Sequence, residues 1–139
     1  MVQMRIDLYL PEKLQQKVDA KWELVRELDE RATAIGSTSV FGEKVLSSPK
    51  PGAPFEEIIL KKTKLEAEIS RLDFRIAEAE LEIMKVCWQL EADDADIIKM
   101  RHIDLLSILD IARFQEVSYR TVQRRLKKAR RAFNEAVTK

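Results

Sequence analysis

The residues with the most chemical potential lie in one run, VSYRTVQRRLKKARRAF, over residues 117–133. Seven cations, Arg120, Arg124, Arg125, Lys127, Lys128, Arg130 and Arg131, surround Val122, Leu126, Ala129 and Phe133, whose spacing of four, three and four turns them to one face of a helix. Three chemistries fit such a run: a solvated helix end whose cations complement its dipole, a helix lying on an anionic membrane, or a helix gripping nucleic acid. The membrane reading is the weakest, because the apolar side continues as Ala129, Ala132 and Ala136, with only Phe133 bulky.

Elsewhere the reactive residue types lack partners. Cys87 is the single cysteine, so one chain forms neither a disulfide nor a cysteine-based zinc site. His102 has no second histidine, no serine nucleophile motif and no catalytic cysteine nearby in sequence, and reads as a core or boundary histidine. Asp93, Asp94 and Asp96 suggest a capped helix start rather than a metal site, since no further ligands lie near them. No P-loop, dinucleotide fingerprint or zinc-protease motif is present. The expectation is no catalytic residue, no metal and no cofactor.

Charge separates the chain's two ends. The 139 residues carry a formal net charge of only +1. Residues 118–139, however, hold eight Lys/Arg against Glu135 alone, which is +7 and leaves −6 for residues 1–117. Such asymmetry points to an anionic partner for the C-terminal end. The N-terminal MVQMRIDLYLPEK shows no signal-peptide pattern, and no stretch of about 18 uncharged apolar residues occurs. With one cysteine, a reducing cytoplasmic setting is expected.

The elements that must position the basic run follow from periodicity. Leu14, Val18, Val25, Leu28 and Ala32 mark one helix face, with Pro11 in its first turn. Val2, Met4, Ile6, Leu8 and Leu10 alternate, as in a short strand or an irregular arm. All three glycines and three of the four prolines fall in residues 36–54, read as a long loop, ordered and functional or disordered, whose Ser37, Thr38, Ser39, Ser47 and Ser48 satisfy backbone groups or face water. Beyond it, Ile58, Leu65, Ile69, Leu72, Ile76, Ala79, Ile83, Val86 and Leu90 keep a heptad rhythm, interrupted by Lys62. Such a helix, on the order of 50 Å long, needs a partner. The least costly is the first helix folded back antiparallel; the other is a second copy of the chain. The C-terminal turns of the longer helix, with Trp88, then meet another subunit or the C-terminal module. Trp22 and Trp88 read as packing residues.

In the C-terminal module, Asp93 or Asp94 is a candidate N-cap ahead of Ile97, Ile98 and Met100, and Ser107 is another ahead of Ile108, Ile111 and Ala112. Gln115-Glu116-Val117 makes a tight connection, and Ser118 caps the basic helix. Two short helices joined by a brief turn, the second capped and basic outside, describe a helix-turn-helix. The fold class expected is all-α: an antiparallel long-helix hairpin of coiled-coil type over residues 1–92, then a helix-turn-helix domain over residues 93–139.

Met100-Arg101-His102-Ile103, Ser107 through Ala112, Val117-Ser118, Thr121-Val122 and Arg125 through Arg130 resemble region 4 of sigma-70-type factors, over about residues 94–133. Leu105 and Glu116 stand where that family often has glycine, Gln115 where it has leucine, and His102 where it has tyrosine. RATAIGSTSVFGEKVLSSPKPGAPFEEII, followed by a long charged helix, is similar to small phage and prophage proteins of Gram-positive bacteria that include late-gene transcription regulators.

The resemblance implies sequence-specific binding of double-stranded DNA in a bacterial host cytoplasm. It places Tyr119, Arg120, Gln123 and Arg124 at base edges, where arginine pairs with guanine and glutamine with adenine. Ser118, Thr121, Arg125, Lys127, Lys128, Arg130 and Arg131 then contact phosphate. For Arg130 and Arg131, phosphate contact and a solvated, dipole-complementing role stand level. The partners it implies beside DNA are RNA polymerase and further copies of the chain, met through residues 14–32 and 58–90. Two other readings remain: a small-terminase-like DNA-packaging subunit, and an anti-sigma or scaffold module whose basic helix binds an acidic protein.

Overall fold

A computed structural model describes residues 6–41 and 52–138, with side-chain surroundings for 6–34 and 54–138. Among the described residues five α-helices follow in order: α1 (Leu10–Phe41), α2 (Gly52–Cys87), α3 (Ala92–Ile98), α4 (Ile108–Gln115) and α5 (Tyr119–Thr138). A five-residue π-helical turn, Lys99–Ile103, extends α3. No strand occurs among the described residues, so all-α is the fold class. The alternating N-terminal residues form no strand from Ile6 onward; Ile6 to Tyr9 are a coil and a turn leading into α1.

The chain forms two compact units, one of residues 15–74 and one of residues 1–14 with 75–139. In the first, α1 and α2 pair antiparallel. Lys21 reaches Glu68 at 2.7 Å and Lys62 reaches Asp29 at 2.7 Å, so positions rise along one helix as they fall along the other. Val18, Val25 and Leu28 from α1 and Ile58 and Ile69 from α2 are buried, one stripe per helix. Lys62, the polar member of the seam, is matched by the Asp29 carboxylate, whose hydrogen bond and charge raise its pKa.

Several expectations need correction here. The break at residues 36–54 is shorter than read: α1 runs through Gly36 to Phe41 and α2 begins at Gly52. A glycine costs an interior helical position about 1 kcal/mol, which continued backbone hydrogen bonding and the flanking residues outweigh. Ser37, Thr38 and Ser39 thus fall in helix, whereas Ser47 and Ser48 lie outside the described residues. Trp22 and Trp88 are exposed and are not packed inside the chain: Trp22 lies at the margin of the buried stripe of its helix and Trp88 off that of α2.

The second unit owes its core to helices that cross from several sides. Ile83, Val86 and Cys87 at the end of α2 meet Ile97 and Ile98 of α3, Ile111 and Ala112 of α4, and Val122, Leu126, Ala129 and Phe133 of α5. The last turns of α2 therefore meet the C-terminal module, one of the two outcomes their periodicity allowed. Leu90 lies past the end of α2 and is half-buried. The helix start at α3 differs from expectation too: Glu91 occupies the cap without a side-chain hydrogen bond, and Asp93 and Asp94 sit in the first turn, where carboxylates complement the helix dipole.

Candidate nucleic-acid interface

The helix-turn-helix is α4, residues 116–118 and α5, and its local chemistry explains each boundary. Ser107 Oγ accepts the Asp110 N–H at 3.0 Å and starts α4. Glu116 stops it in the left-handed region, at φ 56°, with its own N–H on the Arg113 carbonyl and the Val117 N–H on the Ala112 carbonyl. Ser118 starts α5: its Oγ accepts the Thr121 N–H at 3.1 Å and shares a 2.9 Å hydrogen bond with the Thr121 hydroxyl. The connection is short because both helices are capped within it. Leu105, at φ 59°, plays the same terminating part after the π-turn, so the two positions at which the resemblance pointed to glycine are the two left-handed non-glycine residues among those described.

With Val122, Leu126, Ala129 and Phe133 fully buried, the rest of α5 turns outward. Tyr119, Arg120, Gln123 and Arg124 are exposed together near its N-terminus, as are Ser118, Arg125, Lys127, Lys128 and Arg131; Thr121 and Arg130 are half-buried. None of the seven cations of α5 is in an ion pair with a described residue. Two of them are nevertheless held. Arg125 donates to Gln115 Oε1 at 3.2 Å, tying α5 to the end of α4.

Arg130 is held more elaborately. Its Nε donates to His102 Nε2 at 3.2 Å, and its guanidinium lies 5.2 Å from the centre of the Tyr9 ring. Tyr9 in turn meets His102 edge to face, with ring centres 5.0 Å apart and planes at 87°. Because Nε2 accepts, His102 carries its proton on Nδ1, which has no hydrogen-bond partner of ordinary geometry among the described residues. Burial, then the charges of Arg130 and Arg101, push the His102 pKa down to about 4, against the weaker opposite pull of the Leu8 backbone and Asp7. A neutral His102 is what lets it accept from a cation. Asp7 anchors the same turn, holding the Tyr9 N–H at 2.9 Å and Lys13 at 3.0 Å, contacts that lower its own pKa.

The sequence reading placed His102 correctly inside, yet did not foresee that Tyr9, His102 and Arg130 meet. No periodicity connects positions 9, 102 and 130. Arg101 and Glu12, at 2.9 Å, fasten the same N-terminal turn to the π-turn and were equally silent in the sequence.

A cleft of about 420 Å³ lies between the start of α3 and the α4–α5 pair, lined by Asp93, Asp94, Asp96, Phe114, Arg125 and Lys128 among others. Among the described residues, no three histidine, cysteine or acidic side chains gather as metal ligands, and no helix is long and apolar enough to cross a membrane.

Residues 81–133 match the family described as Sigma-70, region 4. The matched span begins inside α2, so the turns that bring Ile83, Val86 and Cys87 to the core are part of the same domain as the helix-turn-helix. No curated protein and no solved structure matches the chain. The C-terminal part is a domain of the sigma-70 region 4 helix-turn-helix type.

Proposed function

We propose that this chain is a sequence-specific regulator of transcription of phage or prophage type, which binds double-stranded DNA in the bacterial cytoplasm through α4 and α5. The observation that carries the reading is the outer face of α5: seven cations on a 20-residue helix, none ion-paired with a described residue. Concentrating like charge there is unfavourable by itself, and a polyanion offsets it. The region 4 match supports the reading, because the second helix of a helix-turn-helix is the one that enters the major groove.

In this reading Tyr119, Arg120, Gln123 and Arg124 meet base edges. Ser118, Thr121, Arg125, Lys127, Lys128, Arg130 and Arg131 meet phosphates. The ties of Arg125 to Gln115 and of Arg130 to His102 and Tyr9 order two long side chains in advance, so less rotamer entropy is lost on binding. The α1–α2 pair serves as the arm that oligomerises the protein or touches RNA polymerase.

The test starts from duplexes selected out of random DNA. Arg124→Ala weakens the preferred site about 10- to 100-fold and relaxes the preference. Lys128→Ala weakens all duplexes alike and flattens the log–log salt slope, about −5 for six phosphate contacts, by about 1. Equal losses from both changes on preferred and random duplexes, or no duplex binding at low salt, sink the assignment.

A further inference from the structure

The outer side of α2 carries a second heptad line. Leu60, Ala67, Phe74, Leu81 and Trp88 recur every seventh residue, on the side of the helix away from the buried Ile58, Ile69, Ile76 and Ile83. Leu60, Ala67 and Phe74 belong to the first unit; Leu81 and Trp88 belong to the second. All five are exposed, Leu60 at 70%, Phe74 at 65%, Leu81 at 50% and Trp88 at 69%. Trp88 is one residue past α2, but its N–H still bonds the Met84 carbonyl at 3.0 Å, so it continues the last turn. Three residues after the first four members come Thr63, Ser70, Ala77 and Met84. Large side chains every seventh residue with small or flexible ones three further on form a coiled-coil seam.

We propose that this line is a self-association seam, on which α2 of a second copy of the chain lies parallel and in register. The charges flanking it are the reason. On one flank stand Glu66, Asp73 and Glu80, and on the other Lys64, Arg71, Glu78 and Lys85. In a parallel pair each flank residue meets the one five positions later on the other chain. That brings Glu66 to the partner's Arg71 and Glu80 to the partner's Lys85, with Asp73 against the partner's Glu78 as the single like pair. An antiparallel pair sets the three acids against one another.

Glu80 adds a second observation. It is half-buried and has no ion pair among the described residues, and desolvation followed by the nearby Asp104 raises its pKa. A cation from outside is what this carboxylate lacks. Area is sufficient as well: Phe74, Trp88 and two leucines from each copy bring roughly 1,000 Å², the lower bound of a specific interface. This deepens the oligomerising arm of the proposed function and names its face. The inner seams are already occupied within the chain.

The experiment is sedimentation of the full chain without DNA, so that its outcome is independent of whether the protein binds a duplex. The wild type is a dimer at about 10 μM, and the double change Phe74→Glu with Leu81→Glu raises the dissociation constant at least about 100-fold. Both positions are exposed, so helical circular dichroism and the unfolding curve of the separated chain stay as they are. Asp73→Lys, which turns the one like pair into an opposite pair, tightens association several-fold, roughly the scale of one exposed ion pair per side. Leu60→Cys gives a disulfide-linked dimer on mild oxidation, whereas the wild type gives none, because Cys87 is buried and burial raises its thiol pKa. A wild type that stays monomeric at about 100 μM, a dimer indifferent to the double change, weaker association from Asp73→Lys, or no cross-link at position 60 each overturn the proposal.

Discussion

The two units bury their apolar residues in different ways. In residues 15–74, two long helices each offer one stripe to the other, and the stripe's edges are sealed by Lys21 with Glu68 and Lys62 with Asp29. In the second unit, shorter elements cross, and Ile83, Ile98, Ile111, Val122, Ala129 and Phe133 reach complete burial. Helix length is therefore no measure of core. A helix with one neighbour covers one face, while a helix with several neighbours is covered over most of its girth. The second unit encloses one face of α5, and the first leaves long helix faces exposed.

The sharpest way to break this comparison is to cut a cavity in each unit. Phe133→Ala removes a ring that is fully enclosed, and a loss of about 3–5 kcal/mol is expected. Leu28→Ala opens a stripe with solvent on both sides, where collapse is easier, and the expected loss lies at the lower end of the leucine range, about 2 kcal/mol. Urea unfolding of the two variants decides the matter; equal losses would show that the paired helices are packed as tightly as the crossed ones. Hydrogen exchange extends the same test, with the slowest amides expected in α5 rather than in residues 15–34 or 54–74.

Acid separates the units next. His102 is the chain's single histidine, and it belongs to the second unit. Its folded pKa of about 4 lies below the 6.5 of an unperturbed histidine, so the unfolded chain takes up the proton first as pH falls. Stability is therefore unaffected by this group above about pH 6.5, declines between 6.5 and 4, and levels off below, for a total of about 3 kcal/mol. In thermal or urea unfolding, His102→Gln removes that slope and keeps an acceptor for Arg130. A slope that persists between pH 6.5 and 5 in the variant would assign it to other groups. Lost stability at residues 15–34, followed by exchange at the same pH values, would show that the units do not respond separately.

What could be read from the sequence was local. Ser107 and Ser118 cap the helices they precede, and the four-three-four stripe of α5 faces the core, since caps and helical periodicity are settled within a few residues. The division of α2 between two units was invisible, because the heptad rhythm is the same at Ile58, which faces one helix, and at Ile83, which faces several. The meeting of Tyr9, His102 and Arg130 was invisible for another reason: contacts between distant segments follow from the packing, which no local pattern encodes. Trp88 shows the hazard of the opposite inference. A tryptophan was expected to be packed, yet its register places it on the open face of α2.

The smallest expected effects concern backbone conformation, and they run in opposite directions in the two units. Glu116 is exposed and held at φ 56°, where a residue with a Cβ is strained by about 1 kcal/mol. Glu116→Gly relieves that strain, sacrifices no packing, and is expected to stabilise by roughly 0.5 kcal/mol after the extra freedom glycine gives the unfolded chain. Leu105 has the same conformation at φ 59° but a half-buried side chain, so the relief at Leu105→Gly is offset by about 1 kcal/mol of lost burial and no gain is expected. Gly36 lies inside α1, where glycine is the wrong residue, and Gly36→Ala is expected to stabilise by up to about 1 kcal/mol. One unit thus gains from acquiring a glycine at a turn, and the other from losing one in a helix. Urea midpoints of the three variants check this, and a gain at Leu105→Gly equal to that at Glu116→Gly would mean that the partial burial of the Leu105 side chain contributes nothing to stability.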